Sequence, residues 1–363
     1  MGENETNAWL SHNYGPGDFF LGNRASELLF DFLKSLRREG GGVILPASTC
    51  HALAQTIIIA GYVPIFADVE THDLNVSVSS VRSAYENSAV GVIACIAVHS
   101  YGNFCFLDEI VEFCKKEKII LIEDICQLVG SGAEGKSGDA ILLSFGYSKP
   151  IDIGGGGGMI LKLPVLSDNM KLMRSVESYS SPNSPGAQQF LADYYLIRDR
   201  ERKGEIARGS IKNLTSLYSN YLIHGETKPD WDRFRNETLT LKERNADRLS
   251  KAVFLHQELS NCDEIKVLNL TRYSVPWRFS FLISDSIHQY KLTELLRSKV
   301  RDASNWYPNL ALDFPGYAGV ETPNATAVGA SIVNLWIDEA TSESYLSKAV
   351  DTIYSFFHEL KRK

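Results

Sequence analysis

The chain has 363 residues, enough for two domains or for one large α/β unit with a smaller partner. Hydrophobic residues make up 44% and charged residues 22%, which excludes disordered, collagen-like and fibrous chains. Thirty-seven Lys and Arg against 44 Asp and Glu leave a net charge of −7, so neither nucleic acid nor an anionic membrane is attracted globally, and an anionic ligand needs a local site.

The stretch Met1–Thr6 is acidic and leads into no apolar segment, and no apolar run reaches the roughly 18 residues of a membrane span. The expectation is a cytoplasmic protein without nucleic-acid or membrane partners. Asn23-Arg24-Ala25-Ser26 opens an amphipathic helix ending near Arg38, with Asn23 able to cap it. Val43–Pro46 reads as a strand, Cys50–Ala60 as a helix stopped by Gly61, and Val63–Val69 as a second strand. Val90–Val98, Ile119–Glu123, Ala140–Phe145 and Met159–Leu163 are further apolar runs of strand length, with a helical pattern at Leu107–Lys116 between them. The runs are filled without alternation, as in a parallel sheet covered on both faces. Six cysteines (Cys50, Cys95, Cys105, Cys114, Cys126, Cys262) form no Cys-x-x-Cys pair and sit mostly in apolar strings, which suits buried thiols in a reducing compartment better than disulfides or metal ligands.

From Pro164 to Lys251 helical patterns replace the strands. From Ala252 a smaller α+β pattern follows: a helix, a strand at Trp277–Ile283, a helix at His288–Lys299, a strand at Ile332–Ile337 and a last helix at Glu343–Leu360. The predicted organisation is a large α/β domain, residues 1–250, and a small C-terminal α+β domain, residues 251–363.

Three features of the first domain can meet at the carboxyl edge of the sheet, where open α/β sheets bind ligands. Asp124 ends the apolar strand Ile119–Glu123. Lys149 follows the strand Ala140–Leu143 and precedes five consecutive glycines, Gly154–Gly158, whose conformational freedom suits a cofactor wall. The helix start at Asn23–Ser26 is an anion site by geometry, or simply a helix cap. Singly, each has an ordinary structural explanation. Together they match the needs of pyridoxal 5'-phosphate: a lysine for a Schiff base, an acid opposite the ring nitrogen and helix-terminal donors for the phosphate.

At these residues the sequence resembles the DegT/DnrJ/EryC1/StrS sugar aminotransferases, which are fold type I pyridoxal phosphate-dependent enzymes. The resemblance runs through Leu45–Cys50, Ala60–Val69, Val98-His99-Ser100-Tyr101-Gly102, Glu123-Asp124-Ile125-Cys126-Gln127 and Ser144–Lys149 to the glycines, then through Trp306-Tyr307-Pro308, Pro323–Ala325 and Asn334–Trp336. It implies a mostly parallel central sheet with helices on both faces and amino transfer from an amino acid, glutamate first, to a nucleotide-linked keto-deoxysugar. It also implies a homodimer, whose interface can draw on Gln188–Tyr221.

By the same resemblance Lys149 is the Schiff-base lysine and proton shuttle, Asp124 the partner of the pyridine nitrogen and Gln127 a contact to the ring. Ser144 binds the phosphate with the amides near Arg24, Ala25 and Ser26. Cys50 stands where members often have an aromatic residue. His99 lies near the site, as a contact or as a core histidine. Sugar dehydratases of the family carry His where Lys149 stands, so the lysine argues for transfer. The family's Asn-aromatic-Arg motif is absent, with Ser180–Gln189 at about its distance, which keeps a non-catalytic regulatory protein on the same scaffold as the alternative.

Overall fold

The apolar runs become neighbouring strands. In the computed structural model, which describes residues 2–176, 185–203, 205–206, 209–215, 219, 221, 229–317 and 319–362, seven strands form one sheet. They are β1 (Asp18–Gly22), β2 (Gly42–Pro46), β3 (Val63–Ala67), β4 (Val92–Val98), β5 (Ile120–Asp124), β6 (Ala140–Ser144) and β7 (Gly157–Leu161), in the order β1-β7-β6-β5-β4-β2-β3. From β3 to β6 all pairs are parallel; β7 runs antiparallel to both β6 and β1. With two antiparallel pairings the sheet is mostly parallel, as the resemblance implies, and β1 carried no strand signal of its own.

Alternate residues of β6 feed two cores. Ala140 and Leu142 pack with Leu28, Leu29, Phe32 and Leu33 of the helix α2 (Ala25–Ser35). Ile141 and Leu143 pack with Leu10 and Tyr14 of the helix α1 (Gly2–Tyr14) and Phe234 of the helix Trp231–Leu239. The sheet is therefore covered on both faces, which is why its strands are apolar throughout.

Between β7 and residue 264 no strand occurs among the described residues. A second sheet, antiparallel throughout, then forms from β8 (Ile265–Val267), β9 (Phe279–Ile283), β10 (Ala303–Ser304) and β11 (Ile332–Leu335), in the order β10-β11-β9-β8. Its core takes Ala252, Leu255 and Leu259 from the helix Leu241–Leu259, Leu292 and Leu296 from Gln289–Lys299, and Ile353, Phe356 and Phe357 from Glu343–Lys361.

One clip joins the two sheets. Gly102 accepts from the Val275 amide at 2.9 Å, and the Tyr101 carbonyl accepts from the Trp277 amide at 2.9 Å. Gly102 has φ +84, and a Cβ there would lie 2.7 Å from the Trp277 nitrogen, so only glycine permits this approach. The Tyr101 hydroxyl donates to the Trp306 carbonyl and accepts from the Tyr307 amide, both at 2.6 Å.

Candidate active site

Parallel strands deliver their last residues to one edge, and here that edge carries the polar groups. Asp124 closes β5, beside Val98 of β4 and Leu142 of β6, and is 5% exposed. Its Oδ1 accepts from the Cys126 amide at 2.9 Å. Ser144 closes β6. The chain then turns through Ser148, whose left-handed φ of 61° is stabilised by its amide donating to Asp152 Oδ2 at 2.7 Å, and this turn presents Lys149. Asp124, Ser144, Lys149, Gln127, Cys50 and the α2 start at Arg24, Ala25 and Ser26 all line one cavity of about 270 Å³.

The glycines form the wall expected of them, in two parts. Gly154, Gly155 and Gly156 line the cavity, while Gly157 and Gly158 enter β7. Gly156 donates to the Asn23 carbonyl at 2.6 Å, which seats the α2 start against the tract. A Cβ on Gly157 would meet the Arg24 carbonyl carbon at 2.6 Å. The cap is Arg24, not Asn23: its backbone is extended, no side chain caps the helix, and Asn23 instead donates its amide to Glu27 Oε2 at 2.7 Å. A helix start without a side-chain cap, lining a cavity, has first-turn amides for an anion.

Gln127 lines the same cavity with both amide ends engaged: Oε1 accepts from the Tyr101 amide at 2.7 Å and Nε2 donates to the Tyr307 hydroxyl at 3.2 Å. Burial pushes the Cys50 thiol up, and burial followed by the Asp124 charge pushes Cys126 well up, so both are neutral walls. His99 is not among the lining residues. It is fully buried beneath the edge, its Nε2 3.1 Å from Glu123 Oε1 and its Nδ1 accepting from the Cys105 amide at 2.9 Å, so of the two readings the core histidine is the one its surroundings favour. Glu123 in turn accepts the amides of Gly135, Ser137 and Gly138.

Sequence reasoning passed over several residues at this site. Thr49 and Tyr221 line the cavity, and the Arg24 guanidinium lies 3.6 Å from the Tyr221 ring centre. Trp277 donates its indole N–H to the Ser148 carbonyl at 2.6 Å, with Lys149 Nζ 5.0 Å from its ring. These contacts join distant segments, and the only local signal was the aromatic density of Trp277 and Trp306. Residues 180–184 of the Ser180–Gln189 stretch lie outside the described residues.

The cavity fits pyridoxal 5'-phosphate on three counts: a lysine amine at its mouth, a buried carboxylate on its floor, and an uncapped helix start packed so closely on Gly157 that no side chain intrudes. A mostly parallel sheet with these groups at its carboxyl edge defines the class: an α/β protein of the fold shared by pyridoxal phosphate-dependent aminotransferases.

A family profile described as the DegT/DnrJ/EryC1/StrS aminotransferase family matches residues 23–189. The chain is 31% identical over 313 residues to Protein MosB of Rhizobium meliloti, covering 83% of this chain and 59% of that one. It is 32% identical over 134 residues to a GDP-perosamine synthase of Vibrio cholerae, a match spanning only 36% of each protein's length. The aminotransferase TlmJ of Streptoalloteichus hindustanus superposes with a TM-score of 0.77 at 18% identity, covering 99% of this chain and 92% of that one. Residues 23–189 thus match the DegT/DnrJ/EryC1/StrS aminotransferase family profile, and the solved neighbour shows that the whole chain shares its fold.

Proposed function

We propose that this protein is a pyridoxal phosphate-dependent aminotransferase that moves an amino group from an amino acid, glutamate first, to a nucleotide-linked keto-deoxysugar. The observation that carries the reading is the convergence of Lys149, Asp124, Ser144 and the uncapped α2 start on one cavity. When bound, pyridoxal 5'-phosphate supplies an aldehyde that exchanges amino groups and a protonated pyridine that draws electrons from the reacting carbon.

The chain's own residues do the rest. Asp124, buried and fixed by the Cys126 amide, holds a proton at the ring nitrogen. Ser144 and the first-turn amides of α2 bind the phosphate. Lys149, free to leave its place on Trp277, takes and returns a proton at its Nζ. Gln127, anchored by Tyr101 and Tyr307, positions the ring. A lysine at this position supports transfer over the dehydration catalysed by family members with histidine there.

The proposal extends to a cytoplasmic homodimer, supported by exposed Tyr195 and Leu196, 58% and 55% accessible, within the Gln188–Tyr221 stretch. It also divides the chain at 250/251, inside the helix Leu241–Leu259, whose first residue packs in one core and whose later residues pack in another. The test is borohydride reduction of the cofactor-loaded protein, then peptide mapping, with a screen of glutamate against nucleotide keto-sugars. Cofactor mass on Lys149 and amino-sugar product are expected; mass on another lysine, or a cofactor-bound protein inert to every pair, overturns the reading.

A further inference from the structure

A second cavity, about 400 Å³, shares Tyr147 and Lys149 with the first. Its lining is dense in charge. Arg244 pairs with Glu237 and Glu339, Arg248 with Glu339, Arg301 with Asp338 and Arg233 with Glu237, all within 4 Å. Arg278 alone among these arginines has no carboxylate partner among the described residues. It is 5% exposed, its Nη1 donates to its neighbour's carbonyl, that of Trp277, at 2.8 Å, and its Nη2 is buried without a hydrogen-bond partner. Its guanidinium lies 3.2 Å from the Trp336 ring centre and 4.4 Å from that of Trp277.

A buried cation with an open donor costs free energy unless an anion completes it. Burial pulls the Arg278 pKa down to about 9, which still leaves it charged at neutral pH. Both indoles pack on its guanidinium and the side chain lines the cavity, so an acceptor reaches it through its N–H groups. The whole lining sets Lys149 and five arginines against Asp152, Glu237, Asp302, Asp338 and Glu339, a net charge of +1, which suits a carboxylate and falls short of a diphosphate. Lys149 Nζ and the Arg278 guanidinium sit within about 5 Å of the same Trp277 ring. An α-amino acid spans roughly 3 Å from amine to carboxylate oxygen and adds a hydrogen bond of about 2.9 Å, which is the scale of two groups sharing one indole.

We propose that Arg278 is the receptor for the α-carboxylate of the amino donor, and of the keto acid it becomes, holding the amine toward Lys149. The inference rests on the aminotransferase reading and deepens it. The Tyr101–Gly102 clip to Val275 and Trp277 fixes the receptor's place across the two sheets.

The test uses cofactor-loaded protein, checked by cofactor absorbance, and tryptophan fluorescence as a binding readout that needs no turnover. The probes are α-methyl-L-glutamate, which has no α-proton to lose, its α-carboxamide, and GDP, UDP and dTDP. In the parent the acid is expected to bind at least 30-fold more tightly than the amide. Arg278→Gln is expected to weaken the acid 30- to 100-fold and erase that preference, with cofactor loading and nucleotide affinity unchanged within twofold. Arg278→Lys, which keeps the charge and loses the fork, is expected to fall between, and it carries the test if Arg278→Gln fails to fold. Acid affinity within threefold of the parent in a folded variant overturns the proposal, as does a loss of nucleotide affinity instead, which would assign Arg278 to the diphosphate. If the parent takes up no cofactor, the aminotransferase reading falls with it; if it does and the variants bind alike, the carboxylate receptor alone falls.

Discussion

Asp124 and His51 show how burial turns single residues into testable quantities. Asp124→Asn keeps the size of the side chain but cannot hold a proton on a ring nitrogen. It is expected to weaken cofactor binding by about 1.5–3 kcal/mol and to lower amino transfer further, with the fold intact by circular dichroism. A near-parental rate would make Asp124 an ordinary strand-end acid. His51 stacks on Tyr194 with ring centres 4.2 Å apart, and burial, with Arg198 and Arg24 adding to it, holds its pKa well below the usual 6.5. The unfolded chain takes up a proton near 6.5 that the folded one refuses, so stability is full above that pH and is lost as pH falls through it, by up to about 1.4 kcal/mol per unit. Urea midpoints at pH 7.5 and 5.5 are expected to differ less for His51→Phe than for the parent; equal differences would remove His51 from the account. Glu123 adds a second loss at lower pH. Burial pushes it up, but His99 and the Gly138 and Ser137 amides outweigh that and hold it below its ordinary value.

At the scale of elements, the glycine tract is the informative case. Its composition announced close backbone approach, and the structure divides the labour: positive φ at Gly154 (+78) and Gly156 (+100) makes the cavity wall, and Gly157 lets β7 touch the start of α2. Gly157→Ala puts a methyl against the Arg24 and Ala25 backbone, and overpacking of this kind costs about 1–3 kcal/mol. Gly158→Ala next to it meets only side-chain atoms at ordinary contact distance, Phe145 at 3.4 Å and Leu143 at 3.6 Å, and is expected to cost far less. Urea denaturation of the pair checks this, and equal midpoints would mean α2 is not seated on the tract. Strands β2 to β6 were legible because burial on both faces leaves an unbroken apolar run. β1 was not, since Asp18–Gly22 is half-buried throughout and bounded by Asp and Gly, and it becomes a strand because β7 offers it an edge.

For the whole molecule, the second cavity joins Tyr147 and Lys149 after β6 to Arg278, Arg301 and Trp336 beside the second sheet, so the proposed receptor depends on how the two sheets are placed. The proposed homodimer predicts sedimentation at twice the chain mass at micromolar concentration; a cofactor-saturated monomer would reject it. Among the described residues no helix is long and apolar enough to cross a membrane, and all six cysteines are unpaired. The alternation of strands and helices, the Asp124–Lys149 spacing and the glycine tract could be read from the chain because they are local: periodicity, punctuation and short motifs report what neighbouring residues must do. His99 could not be assigned that way, since its neighbours along the chain are the same whether it faces a cofactor or Glu123. The clip at Gly102, the indole floor under Lys149 and the unpaired guanidinium of Arg278 lay beyond it for the same reason. Each is a contact between segments more than 100 residues apart, or a partner withheld, and those depend on how the two sheets pack rather than on any stretch of sequence.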